Sequence, residues 1–354
     1  MTTLPFPRLR HPIIQAPMAG GPSTPELTAA VSRAGGLGFL AAGYKLPGAV
    51  EEEITLTRSL AQAPFGINLF LVSEPATDPA AIEKYARSLR GDADHYGVTL
   101  GEPRFDDDAF AAKLDIVLAE RVPIVSFTFG CPSPELVARL HEHKIAVWVT
   151  VTELDEARQA VAAGADALVA QGAEAGGHRG SFVDVDGRGE VSLLPLLALI
   201  GEACDLPLVA SGGIADGAGV AAVLAAGARA AQIGTGFMRC PESGTSAVQL
   251  QTLTQAGPTA LTRAFTGRRA RGIVNRFMRT HDRHAPSAYP QLHHLTAPLR
   301  AAARATGDPD AVNLWAGETH QLARELPASE LVHLFSDDAR VALARAARQI
   351  AGEP

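Results

Sequence analysis

The stretch "PLVASGGIADGAGVAAVLAAGARAAQIGT", Pro207–Thr235, decides the fold. It holds two short apolar runs, at 207–213 and 230–235, on either side of an alanine-rich segment of helical composition. That segment ends in Ala-Gly-Ala, which is typical of a helix that stops ahead of a strand. Apolar runs of four to seven residues without strict alternation indicate strands buried on both faces. The stretch therefore predicts one strand–helix–strand unit of a parallel sheet.

The same pattern recurs along the chain and gives eight strand-like runs. They lie at 12–17, 36–42, 65–71, 123–130, 145–151, 167–172, 207–213 and 230–235. Helical stretches separate them, among them "SPELVARLHEHK" with Ser133 as a candidate N-cap. Eight such units predict an α/β fold, a TIM (β/α)8 barrel, with an open doubly wound sheet as the alternative. We favour the barrel because polar and glycine residues follow nearly every run, and a barrel gathers them at one mouth.

Two segments depart from this repeat. Residues 72–122 separate the third and fourth runs and contain "YARSLRGDADHYGV", which predicts extra helices. From about residue 241 the alternation of strand-like runs and helical stretches stops, and apolar residues with helical spacing dominate. We therefore predict a barrel over residues 1–240, a smaller, mostly helical domain over its mouth at 241–335, and a final helix at 336–354 that packs back on the barrel.

Composition disfavours several classes of protein. The formal net charge of −7 argues against nucleic-acid binding, which usually needs a basic face. The densest basic run, "TGRRARGIVNRFMR" at 266–279, is interpreted as a solvated face or a clamp for an anionic ligand. The three cysteines, Cys131, Cys204 and Cys240, form no CxxC pair, so we predict neither a metal site nor a disulfide framework. This usage fits a reduced compartment.

Membrane and export signals are weak in this sequence. The segment "MTTLPFPRLRHPIIQAP" has no uninterrupted apolar stretch of the kind that a signal peptide requires. No window approaches 18 consecutive apolar residues, the length typical of a membrane span. We therefore expect a cytoplasmic protein with no membrane partner.

Two glycine clusters follow the seventh and eighth strand-like runs. Gly212 and Gly213 end the seventh run, and Gly234 and Thr235 end the eighth. In TIM barrels the loops after these two strands commonly bind phosphate through backbone N–H groups. Tight turns between strand and helix are the structural alternative for such glycines. Because both clusters occur on these two strands together, we predict a phosphate site.

A nearby match to a dinucleotide-binding fingerprint is not taken as a site. "GAGVAA", at 217–222, formally fits the GxGxxG/A pattern. It lies several residues beyond the strand, and no acidic residue ends the next strand, as a ribose partner would. We interpret it as the start of an alanine-rich helix.

A second set of residues predicts contact with a flat ring. Met18 follows "IIQAP", Asn68 lies in "GINLF", Gln171 ends "ALVAQ", and Gly176 and His178 follow in "AQGAEAGGHRG". Amide side chains can bind the polar edge of a heteroaromatic ring, and glycines let backbone approach its face. Taken singly, such residues are more often satisfied turn residues or a solvated histidine. Together with a phosphate site at the same mouth, they describe FMN.

These motifs resemble those of a known family. "QAPMAGG", "GINLF", "SFTFGCP", "AQGAEAGGHRG", "ASGGIADGAGVAAVLAAGA" and "QIGT" are similar, in order, to motifs of the nitronate monooxygenases, particularly the class I group. "AYPQLHHLTAPLRAAA" and "NLWAG" are similar to the family's helical C-terminal region. The resemblance implies an FMN-dependent barrel enzyme that oxidises alkyl nitronates with O2. The products would be a carbonyl compound and nitrite, and nitroalkanes would be possible further substrates.

The resemblance also implies roles for particular residues. His178 would be the catalytic base or would bind an anion, and Tyr289 would form a wall of the substrate pocket. Some relatives carry a histidine where this chain has Thr128, and a tyrosine and a lysine where it has His293 and Ala297, so Thr128 and His293 complete the predicted pocket. The FMN contacts carried over are Met18, Asn68, Gln171, Gly176, Gly213, Gln232, Ile233, Gly234 and Thr235, to which the glycine pattern adds Gly212.

Other functions stay open at this point. An NAD(P)H-dependent flavin reductase acting on a quinone or an enoyl thioester could use the same barrel. A non-catalytic FMN-binding protein or a colourless phosphate-ester enzyme would also fit the glycine clusters. The expected partners are a small-molecule nitronate and O2, and the chain could be a monomer or a homodimer.

Overall fold

The computed structural model of the protein describes residues 6–73 and 78–352. Residues 1–5, at the start of the predicted barrel domain, residues 74–77, within the segment 72–122, and residues 353–354, at the end of the predicted last helix, lie outside the described part. The strands are β1 (Ile13–Gln15), β2 (Phe39–Ala41), β3 (Gly66–Phe70), β4 (Ile124–Thr128), β5 (Ala146–Val151), β6 (Ala167–Gln171), β7 (Gly177–His178), β8 (Leu208–Ser211), β9 (Ala230–Ile233), β10 (Thr259–Thr262) and β11 (Ala270–Ile273).

Helices alternate with most of these strands. They are α1 (Pro25–Arg33), α2 (Pro47–Leu60), α3 (Pro79–Ser88), α4 (Arg90–Tyr96), α5 (Phe110–Glu120), α6 (Pro134–Glu142), α7 (Leu154–Ala163), α8 (Leu193–Ala203), α9 (Gly217–Ala225), α10 (Ala247–Leu253), α11 (Arg276–His281), α12 (Gln291–Thr306) and α13 (Ala328–Ala351). Ser133 caps α6 as predicted, since its hydroxyl accepts from the Leu136 N–H at 3.2 Å.

A parallel sheet in the order β1-β9-β8-β6-β5-β4-β3-β2 forms the barrel. Backbone bonds from Gln15 to Leu37 (2.9 Å) and from Leu37 to Ile13 (3.0 Å) join the two ends of this order. The buried amide of Gln15 also accepts from the Phe39 N–H at 3.0 Å. These bonds close the sheet, and each of the eight predicted runs contains one of its strands, so the predicted (β/α)8 barrel is confirmed.

Both faces of the barrel strands are buried, which explains their continuous apolar sequence. Along β5, Val147 faces the apolar cluster between strands and helices, whereas Trp148 belongs to the cluster that fills the barrel. Phe6 stacks on Trp148, with ring centroids 5.1 Å apart. Phe6 packs against this inner cluster together with Leu9, so the N-terminal segment covers part of the barrel interior.

A second apolar core lies in the C-terminal segment. Phe265, Phe277 and Leu295 form part of it, and Tyr85 and Leu89 from the segment between β3 and β4 join them. The Tyr85 hydroxyl donates to the Ala264 carbonyl at 2.5 Å. Residues 72–122 do contain the predicted extra helices, α3 and α4. These helices pack with the C-terminal core, although the sequence pattern assigned them to the barrel domain.

The C-terminal segment also contains a β-hairpin that the sequence pattern did not predict. Strands β10 and β11 are antiparallel, and β11 pairs in turn with β7. The hairpin was missed because β10 and β11 have four residues each and β11, "ARGI", contains an arginine whose side chain is buried. The segment is therefore mixed in secondary structure, because it contains a short antiparallel sheet as well as the helices α10 to α12.

The last helix starts earlier than predicted. Helix α13 begins at Ala328, directly after Pro327, and not at residue 336. Its buried residues Leu331, Val332 and Phe335 pack into the cluster outside the barrel strands, where α13 contacts α9 and α1. Helix α9 can approach α13 closely because Gly217 has no side chain. A Cβ on Gly217 would lie only 2.3 Å from Cβ of Asp338.

We predict that Gly217→Ala destabilises the fold by about 1–3 kcal/mol, the usual cost of overpacking. Alanine is the better helix former, so a loss of stability would come from the contact between α9 and α13. Urea unfolding followed by circular dichroism measures the change. The matched control is Gly48→Ala in α2, where an added Cβ meets no atom within 4 Å and stability should stay equal or rise. Equal stability of Gly217→Ala and wild type would contradict this close packing.

Candidate active site

A cavity of about 500 Å³ opens at the carboxyl ends of the barrel strands. Its volume lies within the range of about 300–1,000 Å³ that is usual for small-molecule and cofactor sites. Most residues predicted from the sequence line it together. They are Met18, Asn68, Thr128, Gln171, Gly176, His178, Gly212, Gly213, Gln232, Gly234, Thr235 and His293.

Two predicted residues do not line this cavity. Ile233 is buried in the cluster outside the strands, because its neighbour Gln232 takes the inward position and side chains alternate along a strand. Tyr289 lies behind the wall, where its ring packs 5.6 Å from the His178 ring. Its hydroxyl donates to the Tyr44 hydroxyl at 3.1 Å, and Tyr44 does line the cavity. Tyr289 therefore supports the wall through a neighbour.

The glycine clusters form one end of the cavity. Gly212 and Gly213 have φ angles of +118° and +67°, a backbone region that favours glycine. The Gly317 N–H donates to the Thr235 hydroxyl at 3.0 Å, so the C-terminal segment fixes this end from above. Within residues 6–73 and 78–352, the backbone N–H groups of Gly213 and Gly234 have no protein acceptor. They are available to a ligand.

Amide side chains line the middle of the cavity. Asn68 donates to the Ser126 hydroxyl at 2.9 Å and to the Thr128 hydroxyl at 3.0 Å. Gln171 donates to the His178 carbonyl at 3.1 Å and accepts from the Gly180 N–H at 2.8 Å. Each amide keeps further hydrogen-bonding capacity, because an amide has two donors and two acceptor lone pairs. Gln171 therefore shapes the loop that carries His178 as well as lining the cavity.

His178 reaches the cavity from a strand held by the C-terminal segment. Strand β7 pairs with β11, so His178 lies opposite Ala270. Nε2 of His178 lies 2.9 Å from the Thr266 hydroxyl, which itself donates to the Arg268 carbonyl at 3.2 Å. In the tautomer in which Nε2–H of His178 donates to this hydroxyl, Nδ1 carries the lone pair of the ring.

The surroundings of His178 keep its ring uncharged. Burial lowers the pKa of His178 to about 3, and the positive charges of Arg268 and Arg300 act in the same direction. The rings of Phe129, Tyr289 and Trp315 lie around it at centroid distances of 5.5–5.8 Å. At neutral pH the imidazole is therefore uncharged and does not act as a resident cation.

A fully buried arginine next to His178 fixes the loop after β6. Arg179 donates to the carbonyls of Gly189 (2.9 Å), Gly172 (2.6 Å) and Gln171 (2.7 Å). These bonds fold residues 171–189 around one guanidinium. The close approach of Gly176 to residues 316 and 317 fits the same packing, because a Cβ there would lie 2.5 Å from the carbonyl carbon of Ala316.

The basic run at 266–279 is not a solvated face. Arg268, Arg269 and Arg271 are all less than 10 % exposed. Arg269 pairs with Asp184 at 2.8 Å, and Arg271 donates to the Ala173 carbonyl at 2.8 Å. The interpretation as a solvated face is therefore wrong at these positions. The arginines instead hold the 172–190 loop against the C-terminal segment.

Several lining residues were missed by the sequence analysis. Tyr44, Thr266, Arg300 and Trp315 all line the cavity. Arg300 and Arg304 stand four residues apart on α12, a spacing that could have marked one basic face. Tyr44, Thr266 and Trp315 come from separate segments and carried no local signal, since only the tertiary fold brings them to the mouth.

The described residues contain neither a metal-binding cluster nor a membrane-spanning helix. No group of three or more His, Cys, Asp or Glu side chains there is arranged to hold a metal ion. The three cysteines are free thiols. No helix in this part of the chain combines the length and the apolar character needed to cross a bilayer.

Several known proteins are similar to this chain over most of its length. Residues 8–337 match the family model described as nitronate monooxygenase. Nitronate monooxygenase of Paraburkholderia phytofirmans is 41% identical over 341 residues, covering 93% of this chain and 92% of that protein. The structure of nitroalkane oxidase from Streptomyces ansochromogenes aligns with a TM-score of 0.93 and 49% identity, over 96% of this chain and 98% of that one.

A more distant solved structure shares the fold. FabK from Thermotoga maritima aligns with a TM-score of 0.74 at 28% identity, over 97% of this chain and 96% of that one. The family matches cover the barrel and the C-terminal segment alike, and they confirm the resemblance found in the motifs. The chain belongs to the nitronate monooxygenase family, whose members are flavin-dependent enzymes of nitronate oxidation.

Proposed function

We propose that this enzyme binds FMN and oxidises alkyl nitronates with O2 to a carbonyl compound and nitrite. One observation carries the proposal. A single cavity joins a glycine-lined end with free backbone N–H donors to an end that holds a neutral histidine. The first end suits a phosphate, and the second suits a small substrate that gives up a proton or electrons.

The residues at the mouth fit FMN. Gly212, Gly213, Gly234 and Thr235 would hold the phosphate, because backbone N–H groups and missing side chains admit an anion. Asn68, Gln171 and Gln232 would bind the polar edge of the ring system. Met18 lies beside Gly234, since its Sδ is 3.6 Å from the position that a Cβ on Gly234 would occupy. When bound, FMN supplies the electron acceptance and the reaction with O2 that no side chain provides.

The side chains of this chain prepare the substrate. A nitronate already carries the negative charge of a deprotonated nitroalkane, so its oxidation needs no proton transfer from carbon. A neutral nitroalkane must first lose its α-proton, and we assign that step to Nδ1 of His178. Thr266 holds the ring through Nε2, which keeps the lone pair of Nδ1 for the substrate. His178 is thus the catalytic base of this proposal.

We also propose that residues 241–335 complete the substrate pocket. This segment supplies Thr266, His293, Arg300 and Trp315 to the lining of the cavity. Tyr44 from the barrel stacks on His293 with ring centroids 4.3 Å apart. The aromatic rings restrict access of water to the reacting end.

We expect Gly213→Glu to purify without flavin. The new carboxylate would bring a like charge to the phosphate end of the cavity. A Cβ on residue 213 would also lie 3.0 Å from Cβ of Glu174, and Gly213 has a left-handed φ of +67°. Absorbance spectra of the purified protein measure flavin content, and chromatography of the flavin released from wild type identifies it as FMN. An FAD peak would contradict the proposed cofactor.

Gly187→Glu is the matched control for that variant. Gly187 has a similar φ of +76°, but it is exposed and a Cβ there meets nothing within 4 Å. The same backbone strain is thereby introduced away from the cavity, and this variant should keep its FMN. Full FMN content in Gly213→Glu would move the phosphate site elsewhere.

We predict that His178→Asn loses neutral nitroalkane oxidation by about 10²–10⁴-fold, the usual contribution of a general base. Oxidation of preformed nitronate should fall much less, because no carbon-bound proton is removed. The measurement is O2 consumption with nitroethane and with ethyl nitronate, on protein of equal flavin content. The ratio of the two losses decides the assignment.

His284→Asn is the control for this test. His284 is exposed in the single-turn helix at 282–284 and does not line the cavity, so both activities should stay unchanged. If His178→Asn lowers both activities equally, His178 is not the base. If it lowers neither, His178 lies outside the chemistry.

A further inference from the structure

Arg300 is a buried cation in the wall of the cavity. It lies on α12 and is 7 % exposed. Its Nε donates to the Thr296 hydroxyl at 3.0 Å, and Nη2 donates to the His293 carbonyl at 2.8 Å. Nη1 has two N–H groups but makes only a 3.5 Å contact with the Asn313 side chain. The guanidinium is fixed in place and still has a donor to offer.

This guanidinium has no carboxylate partner in the part of the chain that the structure describes. No Asp or Glu oxygen there lies within 4 Å of Arg300, whereas the buried Arg269 pairs with Asp184 at 2.8 Å. Burial lowers the pKa of Arg300 to about 10, so it remains charged at neutral pH. A buried charge without a counter-charge is costly, and an anionic ligand would relieve that cost.

The other basic side chains at the cavity cannot take this role equally well. Burial lowers the pKa of His178 to about 3 and that of His293 to about 2, so both rings are uncharged at neutral pH. Arg304 lies one turn further along α12, and its side chain is exposed to solvent. Among the described residues that line the cavity, Arg300 is the buried permanent cation.

We propose that Arg300 binds the anionic nitronate group of the substrate. A nitronate is planar and shares its charge over two oxygens, and the planar guanidinium fork matches such groups. The inference rests on the proposed function and refines it. Arg300 would hold the negative charge of the substrate, and the proposed role of His178 as the base is separate from this.

The positive charge of Arg300 is expected to affect which substrates the pocket prefers. The charge of Arg300 favours the anion over the neutral nitroalkane, which has the same heavy atoms but no net charge. Arg300 is thus expected to lower the KM for nitronates in particular. It should also give the pocket affinity for inert planar oxyanions such as nitrate.

The test compares Arg300→Gln with wild type in the FMN-loaded enzyme. Losing a hydrogen-bonded charge partner should weaken nitrate binding and raise the KM for ethyl nitronate by roughly 10- to 100-fold. The KM for neutral nitroethane should change much less. Nitrate binding is followed by the change in the flavin absorbance spectrum, and KM by O2 consumption. Arg300→Lys, which keeps the charge without the fork, should give an intermediate loss and guards against a folding defect in the glutamine variant.

Arg279→Gln is the control, since it removes an arginine charge from an exposed position on α11 that does not line the cavity. It should leave nitrate affinity and nitronate KM near the wild-type values. Equal nitrate affinity in wild type and Arg300→Gln, or no nitrate binding by wild type, would overturn the proposal. A wild type that binds nitrate through Arg300 but does not oxidise nitronate would instead contradict the proposed function and leave the anion site standing.

Discussion

The antiparallel pairing of β7 with β11 is the constraint on which the site depends. It places His178 opposite Ala270 and thereby fastens a barrel loop to the C-terminal segment. Arg179 donates hydrogen bonds to three carbonyls of the same loop. The ion pair between Arg269 and Asp184 also joins this loop to the C-terminal segment. The cavity wall is therefore assembled from two parts of the chain that are far apart in sequence. Neither part alone would hold the histidine at the mouth.

The electrostatics of the cavity follow from this assembly. Aromatic rings and buried arginines surround His178, so the protonated form of its ring is disfavoured. Arg300 keeps its charge because guanidinium has a far higher intrinsic pKa than imidazole. Two basic residues in one pocket are thus held in different charge states.

Much of the barrel could be predicted from short-range pattern. Each apolar run contained its strand, because burial on both faces leaves an uninterrupted apolar sequence. The glycine clusters were located correctly at the mouth, since the carboxyl ends of parallel strands meet there. The same reasoning failed for Ile233, because adjacent residues on a strand face opposite sides and the run 232–235 cannot all point into the cavity.

The C-terminal part was harder to predict from sequence. The hairpin at 259–273 has short strands with polar residues, and its stability comes from contacts with the β6 loop and the second core. Arg300 and Trp315 are recognisable as site residues only once α12 and the 313–317 segment are seen against the barrel. Long-range contacts of this kind leave no periodic trace in a single sequence.

We propose that nitronate, and not a nicotinamide cofactor, delivers electrons to this enzyme. The direct measurement is anaerobic stopped-flow mixing of the purified, flavin-containing protein with ethyl nitronate and, separately, with NADH and NADPH. We predict rapid loss of the visible flavin absorbance with ethyl nitronate and no comparable change with either nicotinamide. Rapid bleaching by NADH or NADPH, with none by nitronate, would contradict the account and identify a flavin reductase.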